Sequence, residues 1–124
     1  MSTADSTSQA PTGADTIRGG DGANYLRGDD GSDSVGGGAG FDDINGNVGD
    51  DTASGGLGDD RVVGGKDRDL LFGDDGGDLV SATWATTPAR AGRGTTRCAA
   101  VSRMTSCWAG QATTSCRAIA TTTR

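Results

Sequence analysis

A chain of 124 residues with 23 glycines, 2 prolines and 32% apolar residues holds one small domain at most, and it lacks the material for an ordinary globular core. All 17 acidic residues are Asp, and the net charge of −6 conceals a division: residues 10–81 carry 16 Asp against Arg18, Arg27, Arg61, Lys66 and Arg68, whereas residues 82–124 carry six Arg and no acid. The acidic part, at −11, repels nucleic acid and attracts cations.

Taken in chain order, Met1 to Gly13 has neither a basic n-region nor an apolar h-region, so no secretory signal peptide is expected. Residues 1–9 are expected to be disordered. No apolar run anywhere approaches the roughly 18 residues of a membrane span.

From Ala10 the sequence divides into nines without insertion: APTGADTIR, GGDGANYLR, GDDGSDSVG, GGAGFDDIN, GNVGDDTAS, GGLGDDRVV, GGKDRDLLF and GDDGGDLVS, starting at 10, 19, 28, 37, 46, 55, 64 and 73. Position 1 is Gly19, Gly28, Gly37, Gly46, Gly55, Gly64 and Gly73, joined at position 2 by Gly20, Gly38, Gly56 and Gly65. Position 4 is Gly13, Gly22, Gly31, Gly40, Gly49, Gly58 and Gly76. Position 6 is Asp15, Asn24, Asp33, Asp42, Asp51, Asp60, Asp69 and Asp78. Position 8 is apolar throughout: Ile17, Leu26, Val35, Ile44, Ala53, Val62, Leu71 and Val80. Four columns in phase over eight units mark a repeat architecture and not a Gly/Asp-rich linker.

Each column has a physical reason. Gly at positions 1, 2 and 4 is expected to let the backbone take φ > 0 and turn carbonyls inward. Asp at position 6 adds a short carboxylate to that ring of oxygens. An all-oxygen ligand set on a flexible loop suits a hard cation, and calcium better than magnesium. Positions 7 to 9 predict a very short strand whose apolar middle residue points inward.

This pattern, GGxGxDxUx with U apolar, resembles the hemolysin-type calcium-binding repeats of RTX proteins over residues 10–81. The resemblance implies an all-β fold, a right-handed parallel β-roll in which two nonapeptides make one turn. It also implies calcium held between loops two units apart. On one side the loops from Gly19, Gly37, Gly55 and Gly73 would stack, joining Asn24, Asp42, Asp60 and Asp78. On the other, those from Gly28, Gly46 and Gly64 would join Asp33, Asp51 and Asp69, with Asp15 in a degraded first unit. About five calcium ions follow, and a sixth if the first unit contributes. Asn24 is expected to weaken its site by offering a neutral oxygen, and Lys66 with Asp67 to disturb the loop from Gly64.

Such arrays resemble calcium-triggered folding units near the C-terminus of extracellular proteins exported by type I secretion. That implies a monomeric module, with calcium and a type I secretion system as partners of the parent protein. The alternatives are a calcium-stiffened spacer of an adhesin or surface protein, and a non-functional frameshifted fragment. Catalysis finds no support. The absence of His excludes a Ser-His-Asp triad and a HExxH centre. The absence of Glu excludes an EF-hand loop. The Asp59–Asp60 pair falls at positions 5 and 6 and the Asp42–Asp43 pair at positions 6 and 7, which makes both part of the repeat.

After Ser81 the pattern vanishes, and residues 82–124 are expected to be an unstructured basic tail. Its scattered Arg residues accompany no nucleic-acid-binding motif. Cys98, Cys107 and Cys116 nevertheless keep a spacing of nine, which fits neither a zinc site nor a CxxC redox pair. Joining the third base of each codon to the first two of the next tests another origin. Trp84–Ala85 and Trp108–Ala109 must then give Gly, and Met104–Thr105 gives Asp. With GC-rich codons the shifted frame reads GDVGDDTRA, GGAGHDALR, GGVADDILL and GGPGDDILP, in phase with the array. The tail is therefore expected to be further repeats translated out of frame after loss of one base near the Ser81 codon.

Overall fold

Alternation of buried and exposed residues shapes every strand of the array. In Asn24–Asp30, Asn24, Leu26 and Gly28 are buried while Tyr25 and Arg27 face outward. The computed structural model describes residues 6–10 and 12–82, together with four strand segments beyond them. The nine strands of the first part are β1 (Ser6–Gln9), β2 (Thr16–Asp21), β3 (Asn24–Asp30), β4 (Ser34–Ala39), β5 (Asp42–Val48), β6 (Thr52–Leu57), β7 (Arg61–Lys66), β8 (Leu70–Asp75) and β9 (Leu79–Ala82). Strands β2 to β8 have six or seven residues, longer than the three-residue segments expected, because the extended backbone runs on into the glycines of the next unit.

The strands pair in parallel with their next-but-one neighbours. The odd-numbered strands build one sheet and the even-numbered strands another. The register is an 18-residue step, as in Leu26↔Ile44 and Ile44↔Val62 on one side and Val35↔Ala53 and Ala53↔Leu71 on the other. One turn therefore consumes two nonapeptides, and the array is a parallel β-solenoid of about four turns, consistent with the β-roll expected. No helix among the described residues is long and apolar enough to cross a membrane.

The core is the position-8 column and little else. Leu26, Ile44, Val62 and Val80 from the odd sheet meet Ile17, Val35, Ala53 and Leu71 from the even sheet, with Ala10 at one end. Parallel sheets are usually covered on both faces. Here each is covered on one, and Tyr25, Leu57 and Leu79 stand exposed on the outside.

Two segments depart from expectation. Within residues 1–9, β1 pairs with β3 from Ser6↔Asn24 to Gln9↔Arg27, and the Gln9 side-chain amide donates to the Asp29 carboxylate. Beyond Ser81, β10 (Pro88–Ala91), β11 (Arg97–Ala100), β12 (Ser106–Ala109) and β13 (Ser115–Ala118) continue the two ladders. Their register prolongs the position-8 column through Leu71↔Ala89↔Cys107 and Val80↔Cys98↔Cys116. The surviving period of nine is the physical reason: it presents strand backbone at the spacing the stack requires. The rest of the expected tail lies outside the described residues, as do residues 1–5.

Candidate metal sites

Position 2 lies near the end of each strand and position 4 between strands, and every described residue at those positions from Gly13 to Gly76 has φ > 0. Eleven are glycine, and the other four are Asp29, Asn47, Asp67 and Asp74 at φ 67–79°. Asp and Asn are the non-glycine residues that best tolerate this region. Asp67, at φ 79°, thus keeps the turn that the Lys66–Asp67 departure was expected to disturb.

Position 1 obeys a different rule from the one expected. None of its glycines has positive φ; space is what they supply. A Cβ on Gly37 would lie 2.3 Å from Asp42 Oδ2 and 2.4 Å from the Gly55 carbonyl oxygen. On Gly46 the corresponding distances are 2.3 Å to Asp51 Oδ2 and 2.6 Å to the Gly64 oxygen, and on Gly55 2.5 Å to Asp60 Oδ2 and 2.7 Å to the Gly73 oxygen. The same clash with the carboxylate recurs at Gly28, Gly64 and Gly73, against Asp33, Asp69 and Asp78. At Gly28, Gly37, Gly46 and Gly55 the loop therefore encloses a point that no side chain can occupy, flanked by a carboxylate oxygen and a carbonyl oxygen.

The position-6 residues stack into two ladders. Oδ1 of Asp42 accepts the backbone N–H of Asn24 at 3.0 Å, Asp60 that of Asp42 at 2.9 Å, and Asp78 that of Asp60 at 3.0 Å. On the other side Asp33 accepts from Asp15 at 2.9 Å, Asp51 from Asp33 at 2.8 Å, and Asp69 from Asp51 at 3.1 Å. Asn24 and all six Asp from Asp33 to Asp78 are at most 3% exposed. The second oxygen is not satisfied in this way. Oδ2 of Asp15, Asp33, Asp42, Asp51 and Asp60 is buried with no hydrogen-bond partner.

A buried carboxylate oxygen without a partner is costly, and it is normally compensated by a proton, a donor or a metal. Calcium fits this environment: it takes six to eight oxygens at about 2.3–2.6 Å, many of them backbone carbonyls. No group of three or more His, Cys, Asp or Glu side chains converges among the described residues, so carbonyls must supply most of any ligand set here.

Electrostatics point the same way. Burial pushes the Asp60 and Asp69 carboxyls up to about 7 and Asp51 to about 6, and it raises Asp42 as well. The accepted backbone N–H groups partly oppose this rise, and neighbouring Asp charges add to it at Asp51, Asp60 and Asp69. The metal-free fold thus retains protons that the unfolded chain sheds near the ordinary value of 3.8. Its stability is greatest in acid and falls as pH rises through 7. Circular dichroism of the calcium-free chain is therefore expected to show more β-sheet at about pH 5 than at about pH 8.5. Equal spectra at both pH values would contradict these shifts.

A second set of contacts, outside the four columns of the pattern or at their exceptions, also joins successive turns. At position 5, Asp50 Oδ1 accepts the Arg68 N–H at 3.0 Å and Asp59 Oδ1 the Gly77 N–H at 2.8 Å. Asp29 Oδ1 accepts from Asn47 Nδ2 at 3.1 Å, and Asp43 pairs with Arg61 at 3.1 Å on the surface. The recurrence of Asp at position 5 was the only signal. The exposed ion pair is worth little, at most about 1 kcal/mol.

Comparison with known proteins gives one match. The family model of the RTX calcium-binding nonapeptide repeat, in four copies, fits residues 12–44 and 45–80. No curated protein and no solved structure matches the chain. That family's repeats bind calcium, and the matched residues span more than half of this sequence. With the two-nonapeptide turn, the glycine-shaped loops and the buried carboxylate ladders, the chain belongs to the RTX calcium-binding nonapeptide repeat family.

Proposed function

We propose that residues 10–81 are a calcium-dependent folding module that holds about five ions, with a sixth if the first unit contributes. The observation that carries this reading is the set of buried Oδ2 atoms without a hydrogen-bond partner at Asp15, Asp33, Asp42, Asp51 and Asp60. The position-6 carboxylates would hold the ions together with carbonyls of the glycine-rich positions 1, 2 and 4. Metal supplies what the thin core lacks: it neutralises the carboxylates and ties successive turns together. Proteins of this family are typically secreted. A chain that stays unfolded where calcium is scarce and folds where it is plentiful suits export by a type I system. A calcium-stiffened spacer in a surface protein uses the same chemistry with no cargo to fold. Isothermal calorimetry on the purified chain tests the reading: about five calcium ions bind and magnesium does not compete. Absence of bound calcium at millimolar concentration would refute it.

Residues 82–124 carry a separate proposal. A one-base frame change near the Ser81 codon turned further calcium repeats into the present basic tail, which then has no selected role of its own. Persistence of the nine-residue phase in β10 to β13 supports this, because a shifted frame changes residues but keeps the period. Sequencing the coding DNA decides it: the shifted frame must read Gly and Asp at the columns described above. A DNA frame without those columns would dispose of the idea.

A further inference from the structure

The two ladders differ at their N-terminal ends. Asn24 is fully buried, and its Nδ2 donates to Asp42 Oδ1 at 2.9 Å and to the Gly22 carbonyl at 3.2 Å. Its backbone N–H donates to the same Asp42 oxygen at 3.0 Å. Both side-chain partners are pure acceptors, so the nitrogen and not the oxygen of the amide must face them. The reading of Asn24 as a weak oxygen ligand expects the opposite orientation.

The position of that nitrogen is informative. A Cβ on Gly19 would meet Asn24 Nδ2 at 2.7 Å, just as a Cβ on Gly37 would meet Asp42 Oδ2 at 2.3 Å. The amide nitrogen therefore occupies the place that an unpartnered carboxylate oxygen fills one turn further on. There, two carboxylates stack with a backbone N–H but no side-chain donor between them. At Asn24 the donor is built into the chain.

We propose that the Asn24 amide stands in for a metal ion, so that the Asn24–Asp42 rung closes without calcium and seeds the calcium-dependent rungs that follow. This rests on the calcium reading above. Strand β1 belongs to the same turn: it pairs with β3 at Asn24 and covers the edge of the odd sheet there. The first turn is thus held by hydrogen bonds and strand pairing, and the later turns by metal. Asn24 acts as a positioning residue and not as a calcium ligand, which takes its rung out of the five counted above and leaves four, or five if the first unit contributes.

Two variants and a count test this. Native mass spectrometry gives the number of calcium ions bound by the full chain, and circular dichroism gives the calcium concentration at half-folding. Asn24→Asp is expected to bind one calcium more than the parent, because a second carboxylate replaces the donor. Asn24→Ala is expected to leave the count unchanged and to raise the half-folding concentration about two- to threefold, a charged hydrogen bond being spread over several linked ions. An unchanged count in Asn24→Asp, or one ion fewer in Asn24→Ala, would overturn the proposal and make Asn24 an ordinary ligand or a bystander. A parent chain that binds no calcium would be distinguishable from either result, and would remove the calcium reading together with this one.

Discussion

Gly37→Ala is expected to destabilise the calcium-loaded array by about 3 kcal/mol, whereas Gly36→Ala, one residue away, is expected to change nothing measurable. Neither glycine has a positive φ, so both can accept a side chain as far as the backbone is concerned. The difference is space. A Cβ on Gly36 meets nothing within 4 Å, because that residue faces the outer surface of the even sheet. A Cβ on Gly37 would meet Asp42 Oδ2 at 2.3 Å and the Gly55 carbonyl oxygen at 2.4 Å. Neither obstacle yields easily. Asp42 is fully buried with Oδ1 committed to two Asn24 donors, and the Gly55 oxygen is main chain. The added methyl group would also invade the space surrounded by the oxygens that a cation needs. Melting temperature in saturating calcium, together with the calcium midpoint, measures the effect. Equal behaviour of the two variants would show that the enclosed space at position 1 has no structural importance.

That comparison also marks how far the residues alone could be read. The period of nine, the four columns and the 18-residue stacking were legible, because a solenoid repeats its constraints at every turn and the sequence repeats with them. The reason for each glycine was not. Gly37 and Gly38 look alike in sequence, yet Gly38 is needed for its φ of 120° and Gly37 for its missing side chain. Composition cannot separate conformational demand from steric demand. The orientation of the Asn24 side chain was not legible for a related reason: whether an amide presents its oxygen or its nitrogen depends on partners 2 and 18 residues away. At Asp67 the opposite happened, since a departure from the glycine column left the turn in place. Strand β1 was missed because Ser6–Gln9 has no apolar alternation; its order comes from pairing with the edge of β3.

Removing calcium is expected to have the largest effect of all. At about 1 mM free calcium and a Kd of about 10⁻⁴ M, each site contributes about 1.4 kcal/mol to folding, or about 7 kcal/mol over about five sites. That is a full measure of domain stability, in a chain whose core is a single column of mostly aliphatic side chains. Withdrawing the metal leaves buried carboxylates stacked on one another and a net charge of −11 over residues 10–81. A chelator added at neutral pH is therefore expected to abolish the strand pairing cooperatively, since loss of one rung exposes the next. Acid should partly replace the metal, because protonated carboxyls no longer repel.

The most direct measurement is far-ultraviolet circular dichroism of the purified chain at neutral pH during a calcium titration, with magnesium as control. A β-sheet signal that rises steeply over a narrow calcium range, and stays absent in equal magnesium, is the outcome predicted for cages of carboxylate and carbonyl oxygens closed by a large divalent ion. A spectrum that is the same with and without calcium, or that responds equally to magnesium, would contradict it.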